Sequence, residues 1–126
     1  MSKKIILTKD APEPIGPYSQ AVRFGDMLFC SGQIAIDPKT GQVITGDVKA
    51  QAVQVMKNIE AVLKAADTKF ENIIKTTIFL TNMNDFAAVN EIYGQYFKSN
   101  PPARSTVAVS GLPKGVQVEI EVLAHL

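Results

Sequence analysis

Arg104 is the residue of this sequence whose type and setting most favour ligand binding. It opens a predicted strand directly after Pro101-Pro102, and strand alternation places its side chain on the same face as Thr106. A planar guanidinium beside small neighbours can bind a carboxylate through two parallel hydrogen bonds. A surface arginine that pairs with Glu119 or Glu121 would show the same pattern, so both interpretations stay open here.

Two carboxylates follow on the last predicted strand, where Glu119 and Glu121 share the polar face. If the strands over 104–110 and 116–124 form a hairpin, one of these carboxylates lies near Arg104. A glutamate that holds a water molecule beside a cationic group would act as a general base. A structural salt bridge is the alternative explanation of the same spacing.

Four further residues are placed where they can contact a ligand. Asn90 falls at the edge of the apolar face of a predicted helix, where a buried amide needs a hydrogen-bond partner in the protein or in a ligand. Tyr18 belongs to a rigid loop over 14–20 and either closes a pocket or packs against the core. Ser31 and Gly32 end a strand, where glycine permits a close backbone approach.

The composition excludes several kinds of metal site. Cys30 and His125 are the only cysteine and histidine, which rules out zinc, iron–sulfur and haem-thiolate centres by count. A magnesium or calcium site made of carboxylates alone is not excluded by counting, but the sequence contains no EF-hand loop. Cys30 alternates with Leu28, so we expect an inert thiol that faces the core.

Chain length and net charge limit the remaining classes of protein to which this sequence can belong. A chain of 126 residues predicts a single domain over 1–126. The net charge of +1 gives no electrostatic reason to expect nucleic acid or an anionic membrane. Near the start only Ile5, Ile6 and Leu7 form an apolar run, and no stretch approaches the ~18 apolar residues of a membrane span. These features predict a cytoplasmic protein.

Two amphipathic helices and several strands must position these residues. Apolar residues at intervals of three and four begin at Val48 and predict a helix with Asp47 as its N-cap. A second helix begins near Asn84-Asp85, carries apolar residues through Phe97, and cannot continue through Pro101-Pro102. The predicted strands cover residues 3–8, 20–31 as a hairpin turning at Gly25-Asp26, 73–82, 104–110 and 116–124.

The last strand indicates the fold class. Apolar side chains from Val116 to Ala124 alternate with polar ones, so one face of the sheet must be covered. We expect an α+β fold, with a single sheet of five or six strands and both helices on one face. Phe79 and Leu123 are predicted on the other face, where no helix remains to cover them, which favours an oligomer.

The sequence resembles the RidA family, also called the YjgF family, over essentially the whole chain. The resemblance is carried by Ala11-Pro12, Ile15 through Gln20, Ser31 through Ile34, Asp37 through Gly41, Lys75 through Leu80, Met83 through Asn90, Pro102 through Ser105, and Val118 through Glu121. It implies a mixed-sheet, chorismate-mutase-like fold, a homotrimer, and an active site in each cleft between subunits.

The resemblance also implies an activity that needs no cofactor and no metal. This activity is the hydrolysis of 2-imino acids, or their 2-aminoacrylate-type enamine tautomers, to 2-keto acids and ammonium, which removes reactive by-products of pyridoxal-phosphate enzymes. By position in the family pattern, Arg104 would bind the substrate carboxylate and Glu119 would polarise the water molecule that attacks the imine. Tyr18, Ser31, Gly32 and Asn90 would line the substrate site. Many members carry cysteine where this chain has Thr106, so any thiol chemistry there is lost.

Two other functions compete with imine hydrolysis. The same cleft could serve a regulatory or chaperone-like protein that binds small carboxylates, which would also need Arg104. RNA cleavage that inhibits translation has been attached to the family as well. The net charge of +1 and the lack of a basic patch with interleaved aromatic residues argue against nucleic acid as a partner.

Overall fold

Alternating short strands and two long amphipathic segments build the chain, and the computed structural model describes residues 2–126. One six-stranded sheet is covered on one face by two helices. The strands are β1 (Lys4–Ile6), β2 (Ala21–Phe24), β3 (Met27–Cys30), β4 (Ile73–Leu80), β5 (Ala103–Ala108) and β6 (Val118–His125), and the helices are α1 (Val48–Ala65) and α2 (Phe86–Gly94). The predicted α+β fold class is confirmed.

Local sequence signals set the helix ends. The Asp47 side chain accepts a hydrogen bond of 3.0 Å from the main-chain N–H of Ala50, which confirms the predicted N-cap of α1. Helix α2 begins at Phe86 after one 3-10 turn over Met83–Asp85. It ends at Gly94, earlier than the apolar pattern through Phe97 predicts. No helix among residues 2–126 is long and apolar enough to cross a membrane.

The last two strands do not pair as a hairpin, so the condition under which Glu119 or Glu121 would lie near Arg104 is not met. The strand order is β1-β2-β3-β6-β4-β5, so β4 lies between β5 and β6. Strand β5 pairs in parallel with β4, because α2 provides the crossover that a parallel connection requires. Strand β6, whose alternate residues are the most regularly apolar, takes a central position between β3 and β4.

The two faces of the sheet differ in what covers them. Val118, Ile120 and Val122 on β6 are buried against the helices. Phe79 and Leu123 lie on the helix-free face, as predicted, and are only partly buried. On the same face Ile5 and Phe29 are 50% and 51% exposed. The oligomer that would cover this face stays a prediction.

Two buried amides hold the loops that lead to the sheet. Asn58 of α1 donates to the carbonyls of Ile34 and Ile36 at 3.1 and 2.9 Å. Gln20 accepts from the N–H of Thr8 at 2.7 Å and donates to its carbonyl at 3.0 Å. Both amides are 1% exposed. They therefore satisfy loop groups that water cannot reach.

Replacing Asn58 with alanine should destabilise the fold. Asn58→Ala removes both donations and leaves the carbonyl of Ile36 without a donor, while the carbonyl of Ile34 keeps the N–H of Ile36 at 2.8 Å. We therefore expect the free energy of unfolding to fall by about 2 kcal/mol. Urea denaturation measures this change. Lys57→Ala, at the exposed neighbouring position, should change it by less than about 0.5 kcal/mol. Equal stability of the two variants would contradict the role given to Asn58.

Candidate active site

A cavity of about 450 Å³ lies where the loop before β2 meets the start of β6. Five residues singled out in the sequence line it, namely Tyr18, Ser31, Gly32, Glu119 and Glu121. Its volume is within the range of small-molecule sites. The cavity therefore brings together residues that are separated by about ninety positions in the chain.

The backbone at Gly32 explains how Glu119 reaches this cavity. The main chain of Gln33 donates to the carbonyl of Ile120 at 2.9 Å and accepts from its N–H at 3.2 Å, which lays the loop alongside β6. A Cβ atom at Gly32 would overlap the carboxylate of Glu119. Ser31 is also held, because its hydroxyl donates to the carbonyl of Ser19 at 2.6 Å. Only glycine leaves room for the Glu119 carboxylate in this position.

Glu119 is a half-buried carboxyl group whose proton affinity is increased by its surroundings. Burial raises its pKa above the ordinary value, and the negative charge of Glu121, two residues along the same face, raises it further. A carboxyl group with a raised pKa can both accept and return a proton closer to neutral pH. Glu119 therefore has the properties of a general acid–base residue.

A second cluster lies on α2 and β5. The Arg104 guanidinium carbon is 5.3 Å from the ring centre of Phe86 and 5.1 Å from that of Tyr93, within cation–π range. Its Nη1 donates to Oδ1 of Asn90 at 2.7 Å. The Tyr93 and Thr76 hydroxyls are hydrogen-bonded at 2.7 Å. The guanidinium is thus oriented by three side chains of α2, while Arg104 itself remains exposed.

This cluster changes two sequence-based expectations. Asn90 is exposed rather than buried, and its partner is Arg104. The contact of Phe86 and Tyr93 with Arg104 was not expected, because in the sequence both residues belong to the apolar pattern of the second helix. Their spacing with Asn90, at i, i+4 and i+7, puts all three on one side of α2 and is the signal that could have shown the contact.

Arg104 and Glu119 lie on opposite faces of the sheet, so the expected proximity within one chain is wrong. Arg104 is paired with Thr76, whose side chain points toward α2. Glu119 is paired with Phe79 on the helix-free face. Directly paired residues of neighbouring strands point to the same face of a sheet. Thr76 and Phe79 are three positions apart on β4, and residues an odd number of positions apart on one strand point to opposite faces. One chain therefore carries two separate clusters, one around Arg104 and one around Glu119.

The other sulfur and hydroxyl groups provide no nucleophile. Burial raises the pKa of the Cys30 thiol to about 12, which keeps it protonated, as the sequence indicated. Thr106 shares the face of Arg104, and its hydroxyl is buried without a hydrogen-bond partner. Within residues 2–126, no three His, Cys, Asp or Glu side chains are grouped to hold a metal ion.

Comparison with known proteins places this site in a family. A family model described as Endoribonuclease L-PSP matches residues 8–126. The human 2-iminobutanoate/2-iminopropanoate deaminase is 51% identical over 122 residues, which cover 97% of this chain and 89% of the human protein. The chain belongs to the RidA family.

Solved structures of RidA-family relatives share the whole fold. A conserved Rid-family protein of unknown function from Yersinia pestis, YyfA, matches with a TM-score of 0.97 and 55% identity over 99% of this chain and all of that one. The TdcF protein of E. coli, crystallised with bound serine, matches with a TM-score of 0.93 and 47% identity over 98% of both chains. The six-stranded arrangement is therefore the family's fold.

The pKa of Glu119 should respond to its neighbour on β6. Glu121→Gln removes the negative charge that opposes ionisation, so the pKa of Glu119 should fall but stay above its ordinary value, because burial remains. Carboxyl carbon NMR during a pH titration measures it. Glu71→Gln removes an equal charge before β4, and we expect no change. An unaltered pKa in Glu121→Gln would contradict the coupling.

Proposed function

We propose that this RidA-family chain hydrolyses 2-imino acids to 2-keto acids and ammonium at a site assembled from two subunits. The supporting observation is the separation of two complementary half-sites. Arg104 with Asn90 forms a cationic group that can bind a carboxylate, and Glu119 in its pocket forms an acid–base group. The names of the human, mouse and rat relatives favour the same reaction.

The reaction follows from the chemistry of these groups. Arg104 of one subunit binds the substrate carboxylate, and Asn90 and the aromatic rings keep its fork oriented. Glu119 of the other subunit accepts a proton from water as the water oxygen adds to C2 of the protonated imine. Glu119 then returns this proton to the nitrogen, and as the C2–N bond breaks its carboxylate takes the proton of the new C2 hydroxyl. That proton passes to the departing ammonia, so a 2-keto acid and ammonium leave and Glu119 is again ionised. Positioning supplies most of the catalysis, since the iminium carbon is already electrophilic.

The remaining site residues would shape the pocket around this chemistry. Tyr18, 51% exposed in the single chain, would close over the bound substrate. Ser31 and Gly32 would line the water side next to Glu119. Thr106 would contribute only its main chain, since its hydroxyl is buried. In a cell, the activity would remove reactive imines released by pyridoxal-phosphate enzymes acting on serine or threonine.

The charge of the pocket favours a small zwitterion over a polyanion. Glu13, Glu119 and Glu121 line it, and a phosphate backbone would be repelled by them. An amino-acid-like ligand presents a carboxylate to Arg104 and a cationic nitrogen to these carboxylates. The serine bound to the TdcF relative has both groups. This arrangement supports imine hydrolysis over RNA cleavage.

Arg104→Lys should abolish most of the activity. An ammonium group offers a point charge instead of a planar fork, so affinity for the product 2-oxobutanoate should fall about 30-fold or more. Calorimetry measures the affinity, and semicarbazide trapping of imines generated by an amino-acid oxidase measures the activity. Arg23→Lys is the matched control, because Arg23 donates to the carbonyl of Gly25 at the hairpin turn. Wild-type affinity and activity in Arg104→Lys would contradict the proposal.

The assembly should be a homotrimer. Apolar residues on the helix-free face are exposed in the single chain, and a shared site requires at least two subunits. Light scattering at micromolar concentration should give the mass of three chains of 13.7 kDa each. A mass of one chain would exclude the shared site, and a mass of two would exclude the trimer.

A further inference from the structure

The pocket around Glu119 is lined by three carboxylates and by no cationic side chain of the same chain. Glu13, Glu119 and Glu121 are among its 13 lining residues, and none of the 13 is lysine, arginine or histidine. Lys75 lies near Glu121 in the adjoining groove, outside this lining. The lining of the pocket therefore carries net negative charge.

Two of these carboxylates have no part in the proposed chemistry. Glu119 is half-buried against Gly32, whereas Glu13 and Glu121 are exposed. Glu13 comes from the loop before β2 and Glu121 from β6, so they border the pocket from two different elements. In the proposed site, their charges would face the side chain that a substrate carries beyond C2.

The rest of the wall that would receive a substrate side chain is uncharged, and much of it is apolar. Ile15, Ile34 and Ile36 line the same cavity, together with prolines at positions 12 and 113. An aliphatic side chain can lose water against these surfaces at little cost. An anionic side chain would lose water there and also meet like charges at the rim.

We propose that Glu13 and Glu121 make this site discriminate against 2-imino acids with an acidic side chain. The inference rests on the proposed function, because it assigns the substrate selectivity of that same site. A like charge at ~8 Å in a partly exposed site weakens binding about 5- to 10-fold. The two carboxylates together would therefore reduce the binding of an acidic substrate by roughly 25-fold or more.

The test compares two 2-keto acids of equal chain length, 2-oxopentanoate and 2-oxoglutarate, which differ by a terminal carboxylate. Calorimetry gives the ratio of their affinities for the wild-type assembly and for Glu13→Gln, Glu121→Gln and the double variant. We expect the wild type to prefer 2-oxopentanoate and each substitution to narrow the ratio about 5-fold. The ratio should also narrow with added salt, because exposed charges are screened.

Glu71→Gln is the control, since it removes the same net charge outside the pocket and should leave the ratio unchanged. An unchanged ratio in the double variant would overturn the inference, and so would equal narrowing in Glu71→Gln. If added salt leaves the ratio of the two affinities unchanged, the site selects by shape, and this result would overturn the inference as well. If 2-oxopentanoate fails to bind the wild type, the proposed function itself is wrong, and the inference falls with it.

Discussion

The two-residue period of the β-strand is the constraint on which this site depends. Because β4 separates β5 from β6, the register fixes Arg104 on the helix face and Glu119 on the helix-free face. Glu119 cannot change face unless β6 slips by one residue, which would expose Val118, Ile120 and Val122. The sheet thus keeps Arg104 and Glu119 apart within one chain, and under the proposed function a second copy would bring them together.

Polar contacts, some of them buried, hold the residues around Arg104 and the loops that lead to Glu119 in place. Asn58 and Gln20 bind loop main chain from positions that are almost fully buried. Arg104 is oriented by stacking over Phe86 and by its bond to Asn90. Such contacts fix geometry before a ligand arrives, which reduces the ordering cost of binding. A reaction that depends on position rather than on a nucleophile needs this rigidity.

The sequence predicts the local elements well and the pairing of distant ones poorly. Capping by Asp47 and the alternation of β6 follow from neighbouring residues, so they could be read from the chain. The insertion of β6 between β3 and β4 depends on contacts across the sheet, which no local pattern encodes. Asn58 was missed because one amide within an apolar helical face looks like an interruption of the pattern. The candidate site residues were raised by their types and positions and then by the family resemblance, whereas their placement on two faces of the sheet needed the fold.

Subunit complementation tests the shared site most directly. Arg104→Ala and Glu119→Gln chains, each inactive alone, are unfolded together, refolded into mixed assemblies, and assayed for imine hydrolysis. Random mixing would place an intact Arg104 opposite an intact Glu119 in about one quarter of the sites, so activity should recover to about that fraction of the wild type. If mass spectrometry shows mixed assemblies and activity stays at the level of the separate variants, the two residues do not form one site across the subunit interface.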